Sequence, residues 1–91
     1  MQLKSAADIQ VAIDTLNSAS GFSASANDVA VASASVAAAC APLEGFASFE
    51  AIPFLTLLEI AFQVAQIIFG DGAITLDKIK SVIEMLKTIL G

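Results

Sequence analysis

The fold of this chain is decided by one stretch, LLEIAFQVAQIIFG, which spans residues 57–70. At about 100° per residue, the polar side chains in and just before this stretch fall on one narrow stripe of a helix: Thr56, Glu59, Gln63 and Gln66. Apolar residues occupy nearly all of the remaining circumference, whereas a solvent-facing helix shows the reverse proportions. A single subunit of 91 residues offers too little protein to cover that surface, so the stretch predicts self-association.

The predicted self-association surface consists of large apolar side chains on this helix. Exposed apolar patches of such size usually mark interfaces between proteins. We therefore expect the chain to form a homodimer and to bind itself through five candidate interface residues: Leu55, Leu58, Phe62, Ile67 and Phe69.

Composition argues against several classes of function. Hydrophobic residues make up 57% of the chain and charged residues 14%, against typical values of roughly 45–50% and 25%. The chain has a net charge of −5 and contains neither His nor Arg. A negative chain without arginine repels phosphate backbones, so nucleic-acid binding is not expected. Without histidine, catalysis and metal binding would fall to carboxylates and one thiol.

No arrangement of residues predicts catalysis, a cofactor site or a metal site. Residues 69–75, FGDGAIT, have the glycine and isoleucine spacing of an EF-hand calcium loop. The oxygen ligands required at the first, third and twelfth loop positions are replaced by Ile67, Phe69 and Lys78. No nucleophile has a base and an orienting group at a suitable spacing. We therefore expect a protein that is not an enzyme.

A membrane-spanning role is also not expected. Residues 51–69 come closest to a membrane span, but Glu59 lies at their centre. An acid at that depth costs about 2.5–3.5 kcal/mol on insertion scales. The first residues lack the apolar core of a secretory signal. This pattern is expected either for an intracellular protein or for a domain taken from a longer chain.

Helix-breaking residues divide the chain into five predicted helices, at about residues 5–17, 27–40, 43–49, 53–69 and 75–90. Pro53 is expected in the first turn of the fourth helix, Gly70 just after its end, and Thr75 as the N-cap of the fifth. Residues 29–36 also alternate as in a strand, but their alanine content favours a helix. We expect one all-α domain over residues 1–91, as an intertwined or helix-packed homodimer.

Two single residues allow both a structural and a functional interpretation. Glu59 either reaches solvent along the polar stripe or is a partly buried acid that joins helices and responds to pH. Any cationic side chain paired with it must be a lysine, since the chain has no arginine. Cys40 is the only cysteine. It is either a small core residue or, in a secreted protein, a candidate for an intermolecular disulfide.

The order of several motifs resembles the C-terminal domain of spider silk proteins, the spidroins. The motifs are a single cysteine, Leu57-Leu58-Glu59-Ile60, the QIIFG of residues 66–70, Ile74, and a last helix that closes on Leu90-Gly91. The resemblance is most specific over residues 57–74. The chain departs from the family in two ways. Cys40 lies further from the Leu-Leu-Glu motif, which requires an insertion around residues 41–52, and the family's arginines are missing.

The resemblance implies a non-catalytic, secreted domain at the end of a long repetitive silk chain, in the silk gland and the fibre. Such domains form homodimers that control the solubility of silk and its assembly into fibres. It further implies a Cys40–Cys40 disulfide across the two-fold axis and acid sensitivity through pairing of Glu59 with a lysine of the last helix. The alternative is a small helical subunit of a virion or filament, or a membrane-associated helical protein, located in a virion or the cytoplasm.

Overall fold

A computed structural model of the chain describes residues 1–19, 26–70 and 74–90. The regular elements in these residues are helices, which confirms the all-α prediction. Four are α-helices: α1 (Ala6–Ala19), α2 (Ala26–Cys40), α3 (Phe54–Phe69) and α4 (Leu76–Ile89). Two short 3-10 helices, Ala41–Gly45 and Phe49–Ala51, lie between α2 and α3.

The prediction of five helices is not confirmed, because residues 43–49 do not form an α-helix. A 3-10 helix continues directly from α2 and has Pro42 in its first turn. It ends at Gly45, and the Phe46 amide donates to the Leu43 carbonyl over 3.2 Å. Pro42 has no amide hydrogen and Gly45 favours leaving the helix, so too few residues remain for an α-helix.

The four α-helices pack as a ring in chain order. α1 packs mainly against α2 and α4, and α3 also packs mainly against α2 and α4, so α1 and α3 lie on a diagonal. The largest fully buried side chains come from several elements and form one core. They are Ile9, Ile13, Val36, Cys40, Leu43, Val64, Val82, Leu86 and Ile89.

The strand-like alternation of residues 29–36 does not prevent α2 from forming. Val29, Ser33 and Val36 are buried at helical spacing. The Ser33 hydroxyl donates to the Val29 carbonyl over 2.8 Å, so its burial leaves the hydroxyl bonded. Alanine-rich composition favours the helix, and the buried face holds it against α1 and α3.

The segment before α1 connects the start of the chain to its last helix. Leu3 and Leu90 form an isolated antiparallel bridge, and the Lys4 amide donates to the Ile89 carbonyl over 3.0 Å. The Leu3 amide donates to a Glu44 carboxylate oxygen, also over 3.0 Å. These bonds hold residues 3 and 4 beside the end of α4 and the 3-10 helix that follows α2.

Candidate assembly interface

α3 presents one face to the core and the opposite face to solvent. The core face consists of residues at helical spacing: Leu57, Ile60, Ala61, Val64, Ala65 and Ile68. α2 and α4 cover this face, so a single subunit buries about half of the apolar circumference of α3. The sequence predicts that one subunit offers too little protein to cover the apolar surface of this helix, and the neighbouring helices cover only the core face.

The solvent face of α3 still carries large apolar side chains. Leu55 is 75% exposed and Phe62 is 46% exposed, while Leu58 and Phe69 are half-buried. Their spacing of three, four and seven residues places them along one side of the helix. We call Leu55, Leu58, Phe62 and Phe69 the α3 apolar row. It includes four of the five interface residues that the sequence predicted.

Ile67, the fifth predicted interface residue, lies apart from the row. It is 36% exposed and lines a shallow depression of about 340 Å³ together with Ala39 of α2, Gln63 and Gln66. This places it on the side of α3 that faces α2. The polar stripe separates it from the apolar row, because Glu59, Gln63 and Gln66 are all exposed between them.

The sequence allows Glu59 either to face solvent or to be partly buried between helices, and in the structure it faces solvent. Its side chain is exposed on the outer face of α3, next to the apolar row. An acid in this position retains its hydration, so it does not oppose folding of the single subunit. Any contact that orders Glu59 has to come from outside the core of its own subunit.

A lysine of α4 lies at one end of the apolar row. Lys78 Nζ is 5.0 Å from the centre of the Phe69 ring, which is the geometry of a cation–π interaction. Thr75 positions the first turn of α4, because its hydroxyl oxygen accepts from the Lys78 amide over 3.3 Å. The end of the row near Phe69 is therefore covered in part by the Lys78 side chain, whereas Leu55 at the other end is open to solvent.

Cys40 is at the end of α2 and belongs to the core. Its side chain is fully buried, and its thiol is free. Burial, together with the nearby negative charge of Glu44, raises the pKa of the thiol to about 12. Cys40 is therefore not accessible at the surface of a single subunit, and the Cys40–Cys40 disulfide stays a prediction that requires the thiol to become exposed.

Sequence reasoning missed a second surface, a groove between α1 and α4. The groove has a volume of about 610 Å³, and the apolar residues that line it include Val11, Leu16, Met85 and Ile89. Val11 is 65% exposed. It faces away from the apolar side of α1, so an isolated valine on the polar side was the only signal in the sequence.

The described residues contain no group of three His, Cys, Asp or Glu side chains placed to hold a metal ion. Residues 71–73 of the calcium-like loop lie outside the described residues. Among the helices that the structure describes, none combines the length and the hydropathy needed to cross a bilayer. No known protein family, curated protein or solved structure matches this chain. The resemblance to spidroin domains stays a prediction based on the motifs of residues 57–74.

Proposed function

We propose that this chain is a non-catalytic self-assembly domain that forms a homodimer through the α3 apolar row. The observation that carries the proposal is the exposure of this row on a helix whose opposite face is fully used in the core. Burying Leu55 and Phe62 against a partner removes their apolar surface from water, which stabilises the complex by about 25 cal/mol for each Å² buried. A second copy supplies the same surface and therefore covers both rows at once.

The spidroin-like motifs support a biological setting for this dimer. We propose that the domain is secreted as part of a longer silk chain, joins two such chains and controls their solubility and assembly into fibres. Because Cys40 is buried in the core, the dimer is held by noncovalent contacts. The upstream sequence of the parent chain tests the setting directly, since Ala-, Gly- and Ser-rich repeats are expected there and their absence contradicts it.

The homodimer is tested by measuring the mass of the protein in solution with light scattering at micromolar concentration. The unmodified chain should have twice the chain mass. Leu55→Glu places a charge in the row, and burying that charge costs several kcal/mol, so this variant should be a monomer. The matched control is Val11→Glu, which changes an equally apolar and similarly exposed residue on the diagonal helix α1.

Val11→Glu should keep the dimer mass, and circular dichroism should show the same helix content in all three proteins. A monomeric unmodified protein contradicts the proposed function. A dimer that Leu55→Glu leaves intact and Val11→Glu dissociates also contradicts it, because the interface would then lie at the α1–α4 groove.

The second candidate function is a repeating subunit of a virion or filament. The observation that favours it is the apolar groove between α1 and α4, which lies on a different surface from the row. If the row of one copy enters the groove of the next, the contact is head-to-tail and need not close, which generates filaments. Light scattering then shows a mass that grows with concentration instead of stopping at two chains. In that case, both Val11→Glu and Leu55→Glu prevent growth.

A further inference from the structure

Three members of the α3 apolar row are evenly spaced. Leu55, Phe62 and Phe69 follow one another at seven-residue steps, with Phe62 at the centre. Seven residues are close to two helical turns, so the three side chains lie nearly in line along the exposed face of α3. Such a row is self-complementary when a second copy runs in the opposite direction, because its two ends exchange places about the centre.

We propose that the α3 helices of two copies pair antiparallel, with the two Phe62 side chains at the two-fold axis. This inference rests on the proposed homodimer and specifies its geometry. Leu55 of each copy packs against Phe69 of the other. The most exposed member of the row, Leu55 at 75%, thereby meets a half-buried ring that its own subunit already supports.

The position of Lys78 favours the antiparallel over the parallel arrangement. Its ammonium group lies 5.0 Å from the centre of the Phe69 ring. A parallel pair brings the two Phe69 rings together, and with them the two Lys78 side chains, which then compete for the same space at the interface. In the antiparallel pair the Phe69 residues are 14 positions apart along the paired helices, or about 21 Å. At that distance the two Lys78 side chains do not meet, and each Phe69 ring is free to contact Leu55 of the other copy.

The polar stripe also fits the antiparallel register. Glu59 lies three residues before Phe62, and Gln66 lies four residues after it, on the same side of the row. Reversing one helix about Phe62 therefore sets Glu59 of one copy beside Gln66 of the other. The Gln66 amide nitrogen can donate to the Glu59 carboxylate, and symmetry repeats this charge-assisted hydrogen bond. Opposed helix dipoles add a further favourable term.

The geometry is tested by cross-linking single cysteines with a short bis-maleimide, in a Cys40→Ala background. Phe62→Cys should give a cross-linked dimer on a denaturing gel, because its two copies meet at the axis. Leu55→Cys alone should not, since its two copies lie about 21 Å apart along the helix. A mixture of Leu55→Cys and Phe69→Cys should cross-link. Val11→Cys controls for random collision.

A second probe leaves the whole apolar row in place. A mixture of Glu59→Cys and Gln66→Cys should cross-link, because the antiparallel register sets these positions side by side. In a parallel pair they are separated by seven residues along the helix, so no product forms. Light scattering and circular dichroism on each variant before cross-linking establish that the dimer and the helices are retained.

Three results overturn the proposal, and they differ from one another. If Leu55→Cys cross-links with itself as readily as Phe62→Cys, the helices pair in parallel and the homodimer stands without this geometry. If no row or stripe variant cross-links although each has the dimer mass, the interface lies elsewhere on the molecule. If the unmodified protein has the mass of one chain, the homodimer itself is wrong.

Discussion

At the scale of single residues, the burial of Cys40 makes the stability of the fold depend on pH. Its folded-state pKa is raised to about 12 from an ordinary value of 9.0, chiefly because the core cannot solvate a thiolate. Because the folded-state pKa is the higher one, the neutral buried thiol contributes its full stabilisation at low pH. This contribution is lost as the pH rises from about 9 towards 12. The unfolded chain ionises first and is thereby favoured.

We predict that Cys40→Ala is less sensitive to alkaline pH than the unmodified protein. Between pH 10 and pH 11 the free energy of unfolding of the unmodified protein should fall relative to the variant by about 1.4 kcal/mol per pH unit. Urea unfolding at several pH values measures this slope, and lysine titration cancels because both proteins share it. Equal slopes, or rapid alkylation of native Cys40, would show that the thiol is not in the core.

At the scale of the helix, Gly70 shows how backbone geometry ends α3. Its φ of 76° and ψ of −174° lie in a region that is almost restricted to glycine. A Cβ at this position would meet no atom within 4 Å, so the requirement is conformational and not steric. Gly45 has equal space around it, and Gly70 is the only glycine with a positive φ among the described residues.

We predict that Gly70→Ala destabilises the protein by about 1–3 kcal/mol. Gly45→Ala is the matched control and should be neutral or stabilise by about 0.4–1 kcal/mol, because it reduces the entropy of the unfolded chain. Urea unfolding at neutral pH compares both with the unmodified protein. A Gly70→Ala variant as stable as Gly45→Ala would contradict the positive φ at the end of α3.

At the scale of the whole molecule, the proposed dimer couples stability to concentration. Dissociation and unfolding of a dimer release two chains, so each tenfold increase in concentration stabilises the fold by about 0.7 kcal/mol per chain. For a domain of this size that corresponds to about 3–5 °C in Tm. We predict this shift in calorimetry between 5 and 50 times the dissociation constant measured by light scattering. The Tm of the Leu55→Glu variant should be the same at all protein concentrations. If the Tm of the unmodified protein is also independent of concentration, the protein is not a dimer.

The sequence by itself determined the helical character of this chain and the positions of its main helices. Period-3.6 apolar patterns and the local signals at Gly70 and Thr75 depend only on neighbouring residues, and the helices near residues 54–69 and 76–89 follow them closely. The predicted helix at 43–49 was not confirmed, because the local effects of Pro42 and Gly45 outweighed a short apolar pattern.

Only the tertiary structure decided which apolar residues of α3 remain exposed. Periodicity places Leu55 and Val64 on apolar parts of the same helix, but it does not say which part α2 and α4 cover. Packing buries Val64 completely and leaves Leu55 open. The same packing placed Cys40 in the core and formed the groove beside Val11. These features depend on contacts between residues far apart in the chain, and a local pattern does not record such contacts.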